Sequence, residues 1–204
     1  FYEDARAFAR IVSMRGGALA ASGAPRDNVI ATGGGPGIME AANRGAFECG
    51  APSIGFNITL PHEQAPNPWS TPALTCRFHY VAMRKMHLAM RANALAVFPG
   101  GFGTFDELFE VLTLAQSEKM RPVPIILFGR DYWKRVVNFA AMVDEGMIEQ
   151  ADLKLFEIVD NPEEGWASLL QRGLSPAAPA PLQLSLPPTA GRKRPAAQKP
   201  RRGG

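Results

Sequence analysis

Residues 94–107, ALAVFPGGFGTFDE, constrain this chain more than any other segment. The apolar run Ala94–Phe98 predicts a short buried strand, which ends at Pro99 and a glycine-rich turn. An amphipathic pattern begins at Thr104, so the turn joins a strand to a helix N-terminus. Unpaired backbone N–H groups at such a terminus attract anions. The segment therefore predicts an anion-binding turn, followed one helical turn later by Glu107, where we expect chemistry.

Apolar runs alternate with amphipathic stretches along residues 1–173, which predicts alternating strands and helices. The predicted strands are residues 28–32, 52–58, 78–81, 94–98, 123–128 and 155–159, and the predicted helices are residues 2–21, 36–49, 83–93, 104–118, 132–144 and 162–171. Because the strands are apolar throughout, we expect an α/β fold with a parallel sheet covered by helices on both faces. Leu60–Thr75, which contains four prolines, is predicted to be a long functional or mobile loop.

The basic character of the chain, with a pI near 9.1, comes from its C-terminal end. Six of the 22 basic residues and none of the 19 acidic residues lie in Leu174–Gly204, so residues 1–173 carry 16 basic and 19 acidic residues, a net charge of −3. We predict a folded domain over residues 1–173 and a disordered Pro/Ala/Arg-rich tail over residues 174–204. Nucleic acid is not expected to bind the domain. The tail is either a contact for nucleic acid or an acidic partner, or a dispensable solvated segment.

The cysteines and histidines give no sign of a metal site. Cys49 and Cys76 form no CxxC pair, and His62, His79 and His87 lack the spacing of metal ligands. Reduced, packed thiols suit a cytoplasmic protein. No apolar run reaches the roughly 18 residues that a membrane span needs. We expect no cofactor, no metal and no membrane partner.

A second glycine-rich turn, Gly33–Gly37, also follows a predicted strand and opens a helix, with Pro36 suited to the first helical position. Ligands of open α/β sheets bind at the carboxyl ends of the strands, so the two turns could share one crevice. Neither turn matches a P-loop, and Glu40 stands where the dinucleotide fingerprint has its third glycine. A mononucleotide phosphate fits better. The alternative is that these glycines only satisfy backbone geometry.

Glu107 has two interpretations. Thr104-x-x-Glu107 is a capping-box pattern, which would explain the acid without catalysis. Asp106, Glu107 and Glu110 also cluster directly after the anion-suited turn, where Glu107 could face a sugar while Thr104 and backbone N–H groups hold a phosphate.

Arg84 and Lys85 fall in the first turn of the helix predicted over residues 83–93. Positive charge there opposes the helix dipole, so the pair either has an anionic partner or is simply solvated. The recurrence of Met83, Met86 and Met90 predicts a core-facing stripe, and His87 is expected to be a hydrogen-bonded helix residue.

Three motifs together carry a resemblance to a known family. Gly33–Glu40 (GGGPGIME), the Arg84–Lys85 pair and Pro99–Glu107 (PGGFGTFDE, a PGGxGTxxE motif) resemble the LOG (Lonely Guy) family over residues 1 to about 172. Its members are cytokinin riboside 5′-monophosphate phosphoribohydrolases, long mislabelled as lysine decarboxylases. Residues 60–67 are similar to the longer bacterial branch, in which AMP and other purine nucleotides are common substrates.

The resemblance implies a Rossmann-like sheet, a homodimer with sites near the subunit interface, and hydrolysis of the N-glycosidic bond of a nucleotide substrate. It implies that Arg84 and Glu107 are the catalytic pair, with Arg84 holding ribose or phosphate and fixing Glu107. The implied substrate-binding residues are Gly34, Gly35, Gly37, Glu63, Met83, Lys85, Gly100, Gly101, Gly103, Thr104 and Thr113. The family's opening strand is absent from this sequence, which begins at Phe1, so we expect an N-terminal piece to be missing.

Two other functions compete with hydrolysis. A non-catalytic carrier of a phosphorylated ligand, like the molybdenum-cofactor carriers that the family distantly resembles, would need the glycine turns but not Glu107. A pyridoxal-phosphate lysine decarboxylase is disfavoured, because no lysine stands in a plausible Schiff-base pocket.

Overall fold

A computed structural model describes residues 1–20, 24–58 and 65–176 of the chain. The strands are β1 (Ile30–Thr32), β2 (Ser53–Ile58), β3 (Thr75–Phe78), β4 (Leu95–Val97), β5 (Ile125–Phe128) and β6 (Phe156–Val159). The α-helices are α1 (Tyr2–Arg15), α2 (Ile38–Glu48), α3 (Val81–Arg91), α4 (Phe102–Gln116), α5 (Arg130–Val136), α6 (Phe139–Asp144) and α7 (Pro162–Gln171). Strands and helices alternate, and every strand pair in these residues is parallel.

The strands form two parallel ladders, ordered β1-β2-β3 and β4-β5-β6. Ile30 pairs with Ser53 in the first ladder, and Leu95 pairs with Ile125 in the second. β1 and β4 are therefore edge strands of their ladders, and the residues of both line a common cavity. The α/β prediction with a parallel sheet is confirmed.

β5 shows why these strands are apolar throughout. All four of its residues are buried, since helices cover both faces of the sheet. Ile126 and Phe128 belong to the core formed with α1 and α7, whereas Ile125 and Leu127 belong to the core formed with α4 and α5. Phe98 stacks on Phe128 with ring centroids 4.2 Å apart, which ties the end of β4 into the first core.

Several predicted boundaries were wrong for local reasons. α2 begins at Ile38 rather than Pro36, because Gly37 is its N-cap with a left-handed φ of 72°. The strand predicted over residues 78–81 is β3, which ends where that prediction began. The helix predicted over residues 132–144 is broken at Val137, whose backbone is extended, and the Asn138 side chain caps α6 by accepting from Ala141 N–H.

The predicted methionine stripe was also wrong. Met83, Met86 and Met90 are 46%, 42% and 68% exposed, and α3 has no fully buried residue. The inner side of α3 carries Arg84 and Lys85 instead, whose side chains are 17% and 14% exposed.

Near the C-terminal end of the described residues, Leu174 lies one residue beyond the predicted domain boundary and is buried in the core with α1 and α7.

No helix in the described part of the chain has the length and apolar character that crossing a membrane requires.

Candidate active site

The glycine-rich turn after β4 is rigidly connected to the helix that follows it. Gly101 is the N-cap of α4, and its carbonyl accepts from the N–H groups of Thr104 and Phe105 at 3.0 and 3.2 Å. Gly100 has no room for a side chain, because a Cβ atom there would overlap the Thr104 hydroxyl. From α5, the Tyr132 hydroxyl donates to the Gly100 carbonyl at 2.6 Å. The turn is therefore held in one conformation from two sides.

The capping-box interpretation of Glu107 is wrong. α4 begins at Phe102, two residues before the predicted start, so Thr104 is the third helical residue and Glu107 the sixth. No side chain caps this helix. The Glu107 side chain therefore does not cap α4 and can pair with another residue.

That partner is Arg84 on α3. Its Nη2 atom donates to Glu107 Oε1 at 2.9 Å, and the Arg84 side chain is largely buried while that of Glu107 is half-buried. Burial raises the pKa of Glu107 above its ordinary value of 4.5, Arg84 opposes the rise, and the neighbouring Asp106 carboxylate adds to it. The Arg84 Nε atom is buried and has no hydrogen-bond partner among the described residues.

Lys85, next to Arg84, forms a second link between α3 and α4. Its Nζ atom lies 2.9 Å from a carboxylate oxygen of Asp106 and 3.0 Å from Glu110 Oε2. Hydrogen bonds to Asp106 and then Glu110 raise the pKa of Lys85. Of the two alternatives for Arg84 and Lys85, an anionic partner or solvent, the structure shows anionic partners, which lie on α4. Because α3 starts at Val81, the two basic residues are its fourth and fifth, past the first turn where the dipole acts most strongly.

The first glycine turn reaches the same place. A Cβ atom on Gly33 would lie 3.1 Å from Arg84 Nη1, so this turn packs directly against the guanidinium. Gly34 and Gly37 both have left-handed φ angles, of 70° and 72°. Gly34 N–H donates to the Thr32 hydroxyl at 2.9 Å.

A buried polar network fixes this turn from behind. Thr32 donates to Asn43 Oδ1 at 2.7 Å, and Asn43 donates to the Ser53 hydroxyl at 2.9 Å. Asn67 donates to Asn43 Oδ1 and to the Gly35 carbonyl, at 2.9 and 3.0 Å. Asn67, which lies between β2 and β3, is therefore anchored to the glycine turn.

Both turns and the Arg84–Glu107 pair open onto a cavity of about 820 Å³. Its walls include Gly33 and Pro36 from the first turn, Gly100, Gly101, Gly103 and Thr104 from the second, and Arg84, Lys85 and Glu107 between them. The cavity continues between β1 and β4. The expectation that the two turns share one crevice is confirmed.

The other predicted site residues lie around this centre or away from it. Gly34 and Gly35 are buried within the first turn, and Gly37 is exposed at its end, where it is the N-cap of α2. Met83 is exposed outside the cavity wall. Thr113 is exposed, outside that wall, and donates to the Phe109 carbonyl at 2.7 Å. Glu63 lies outside the described residues.

Sequence reasoning missed three residues that shape the site. Asp106 and Glu110 were seen only as an acidic cluster, although their spacing on either side of Glu107 on one helix places them within reach of a neighbour of Arg84. Tyr132 gave no local signal, because its contact with Gly100 joins elements 32 residues apart.

Comparison with known families now places the chain. The family model described as "Possible lysine decarboxylase" matches residues 39–169, which is more than half of the chain. The chain belongs to this family. It is the family that the three motifs identified as LOG.

The curated relatives carry the corresponding name. The chain is similar to cytokinin riboside 5′-monophosphate phosphoribohydrolase LOG7 of Arabidopsis thaliana, at 36% identity over 40% of this chain and 38% of the relative. It is also similar to cytokinin riboside 5′-monophosphate phosphoribohydrolase LOG5 of Arabidopsis thaliana, at 26% identity over 68% of this chain and 61% of the relative. These matches span less than two thirds of the relatives' own length.

Solved structures show the same fold. The X-ray structure of TM1055, a structural genomics target, aligns with a TM-score of 0.55 at 20% identity, covering 83% of this chain and 87% of that one. The Moco carrier protein from Chlamydomonas reinhardtii aligns with a TM-score of 0.54 at 20% identity, covering 84% and 86%. The Rossmann-like fold is confirmed by these likenesses.

Across residues 1–20, 24–58 and 65–176, no three His, Cys, Asp or Glu side chains are grouped so as to hold a metal ion.

Proposed function

We propose that this protein hydrolyses the N-glycosidic bond of purine or cytokinin nucleoside 5′-monophosphates, releasing the free base and ribose 5-phosphate. The observation that carries the proposal is the Arg84–Glu107 ion pair, which lines the same cavity as the two glycine-rich turns. A carrier of a phosphorylated ligand needs the turns alone. A half-buried carboxylate held by an arginine beside them supplies a reactive group as well.

The turn after β4 would hold the phosphate of the substrate. Gly100, Gly101 and Gly103 precede or open α4, where backbone N–H groups and the helix dipole favour a phosphate. Gly101 and Gly103 have open space where a side chain would stand, so a phosphate can approach the backbone closely. Arg84 lines the same cavity, and its guanidinium suits a further oxygen of phosphate or ribose.

Glu107 would then face the anomeric carbon of the ribose. Breaking the bond between ribose and base builds positive charge on that carbon, which a fixed carboxylate stabilises. Water adds its oxygen to the carbon, the bonding electrons leave with the base, and the proton lost from water balances the one gained by the base. Arg84 keeps the Glu107 carboxylate oriented and charged, because an adjacent cation opposes its protonation.

A homodimer belongs to the same proposal. The outer side of α3 exposes Met83, Met86 and Met90, an apolar row on the side of the helix opposite Arg84 and Lys85. A second copy of the chain would cover this row and bring its own α3 near the cavity. Sedimentation of the purified protein tests this directly, and Met86→Lys should then favour the monomer.

The decisive experiment incubates the full-length protein with AMP and with isopentenyladenosine monophosphate, and follows free base by chromatography. Adenosine serves as a control that lacks the phosphate, and we expect base release only from the nucleotides. Glu107→Gln should abolish release while the protein stays folded, whereas Glu145→Gln, at an exposed acid after α6, should not change it. Nucleotides that bind with their glycosidic bonds intact would instead indicate the carrier.

A further inference from the structure

Five charged side chains surround the position where Glu107 would act. Arg84 and Lys85 project from α3, and Asp106, Glu107 and Glu110 project from α4. Arg84 pairs with Glu107, and Lys85 pairs with both of the acids that flank Glu107 on its own helix. The cluster therefore has two cations for three carboxylates.

Lys85 is poorly placed to serve as a free phosphate ligand. Its ammonium group has three N–H donors, and Asp106 and Glu110 occupy two directions at 2.9 and 3.0 Å. Only 14% of its side chain is exposed, whereas Asp106 and Glu110 are 56% and 37% exposed. Lys85 is thus buried beneath Asp106 and Glu110, which lie closer to the solvent.

We propose that Lys85 is a positioning residue, which keeps Glu107 in its carboxylate form by neutralising Asp106 and Glu110. The inference rests on the proposed function and assigns Lys85 a role other than direct nucleotide contact. The charged groups that face Glu107 are Arg84 and Lys85 from α3 and Asp106 and Glu110 from α4. Removing Lys85 would leave one cation for three acids.

The direction of the effect follows from the signs of these charges. Like charges disfavour ionisation of a carboxyl group, so unpaired Asp106 and Glu110 would raise the proton affinity of Glu107. A reaction that needs the Glu107 carboxylate would then begin at higher pH. Neutralising the two acids instead, while Lys85 remains, would lower the proton affinity and move the reaction to lower pH.

The test is the acid limb of kcat/KM for AMP in matched variants. Lys85→Met should move this limb up by about one pH unit. Lys85→Arg, which keeps the charge, should leave the limb at its wild-type position. Lys85→Met combined with Asp106→Asn and Glu110→Gln should return the limb to that position or slightly below it, because no acid then flanks Glu107. Asp106→Asn/Glu110→Gln alone should move the limb downward. Lys134→Met, at an exposed lysine on α5, is the control and should leave the limb in place.

Carbon-13 NMR titration of the Glu107 carboxyl group measures the same shift without turnover. If the wild-type protein releases no base, the proposed hydrolysis fails, and the NMR titration still decides the role of Lys85. If base is released and Lys85→Met raises KM with the acid limb and the titration unmoved, Lys85 is a nucleotide ligand and the inference is overturned. If Lys85→Met does not fold, the Asp106→Asn/Glu110→Gln variant decides. An acid limb that moves to lower pH supports the inference, and an unmoved limb overturns it.

Discussion

Arg84 Nη2 and Glu107 Oε1 lie 2.9 Å apart and join the fourth residue of α3 to the sixth residue of α4. The two side chains are 23 residues apart in sequence, and β4 with its glycine turn lies between them. The bond is a single donor–acceptor contact. The Nε atom of Arg84 is buried without a hydrogen-bond partner in the described residues.

Arg84→Met should reduce kcat/KM for AMP by about 10²- to 10³-fold, the loss typical of removing one preorganised electrostatic contact. It should also move the acid limb of the pH profile upward. The pKa of Glu107 is already raised by burial, and Arg84 opposes that rise, so losing the cation raises the pKa further. Activity that depends on the carboxylate is gained as pH rises through this pKa.

Arg15→Met is the matched control for this variant, because Arg15 forms an exposed ion pair with Glu163. We expect its pH profile to coincide with that of the wild type. An Arg84→Met profile that is lower at every pH but has an unshifted acid limb would mean that Arg84 contacts only the substrate.

Gly100→Ala and Gly103→Ala separate the two uses of glycine in the turn. A methyl group at Gly100 would overlap the Thr104 hydroxyl, so the turn must shift, and we expect a large loss of AMP turnover together with lower thermal stability. A methyl group at Gly103 meets nothing within 4 Å inside helix α4. Gly103→Ala should raise the free energy of unfolding by about 0.5–1 kcal/mol.

Turnover and thermal melting of the two variants decide between fold and ligand effects. If Gly103→Ala is more stable yet loses affinity for AMP, the lost space belonged to the phosphate. Full turnover by Gly100→Ala would remove this turn from the proposed site.

Much of the fold could be predicted because its signals are local. The β-branched run before Gly129 identified β5, and Asn161 followed by Pro162 located the start of α7, where Asn161 caps the helix by accepting from Glu164 N–H. The break between α5 and α6 was missed because Val137–Asn138 contains neither glycine nor proline. Its only signal is an asparagine that can cap a new helix three residues ahead.

The residues that make up the site were predicted better than the contacts between them. The family resemblance paired Arg84 with Glu107, and the strand–turn–helix pattern put both glycine turns at one crevice; residues of all four line the cavity. The partner of each charge depends on where the helices begin. A two-residue error at the starts of α3 and α4 was enough to suggest a capping box for Glu107 and to place Arg84 and Lys85 in the first turn of their helix.

Tyr132→Phe should loosen the glycine turn after β4 without leaving a new void in the packing. The substitution removes only the hydroxyl that donates to the Gly100 carbonyl at 2.6 Å. We expect a loss of about 0.5–1.5 kcal/mol in the free energy of unfolding, which is the typical net value of one hydrogen bond. KM for AMP should rise, since Gly100 belongs to the wall of the cavity. Urea unfolding and steady-state kinetics measure the two effects, and an unchanged KM would show that the turn is held well enough by Gly101 and Thr104 alone.

Gly45→Ala tests how the layer beside the site is assembled. Gly45 lies where α2 crosses α1, and a Cβ atom there would overlap the Arg6 carbonyl and come within 3.0 Å of Ala9 Cβ. The helices would have to separate, and overpacking of this kind costs about 1–3 kcal/mol. Gly103→Ala makes the same substitution in a helix with open space, so it controls for the general helix preference of alanine. Because α2 begins at the first glycine turn, we expect Gly45→Ala to lower the urea midpoint and to raise KM for AMP as that turn moves. A urea midpoint as high as that of Gly103→Ala would contradict the close packing of α1 on α2.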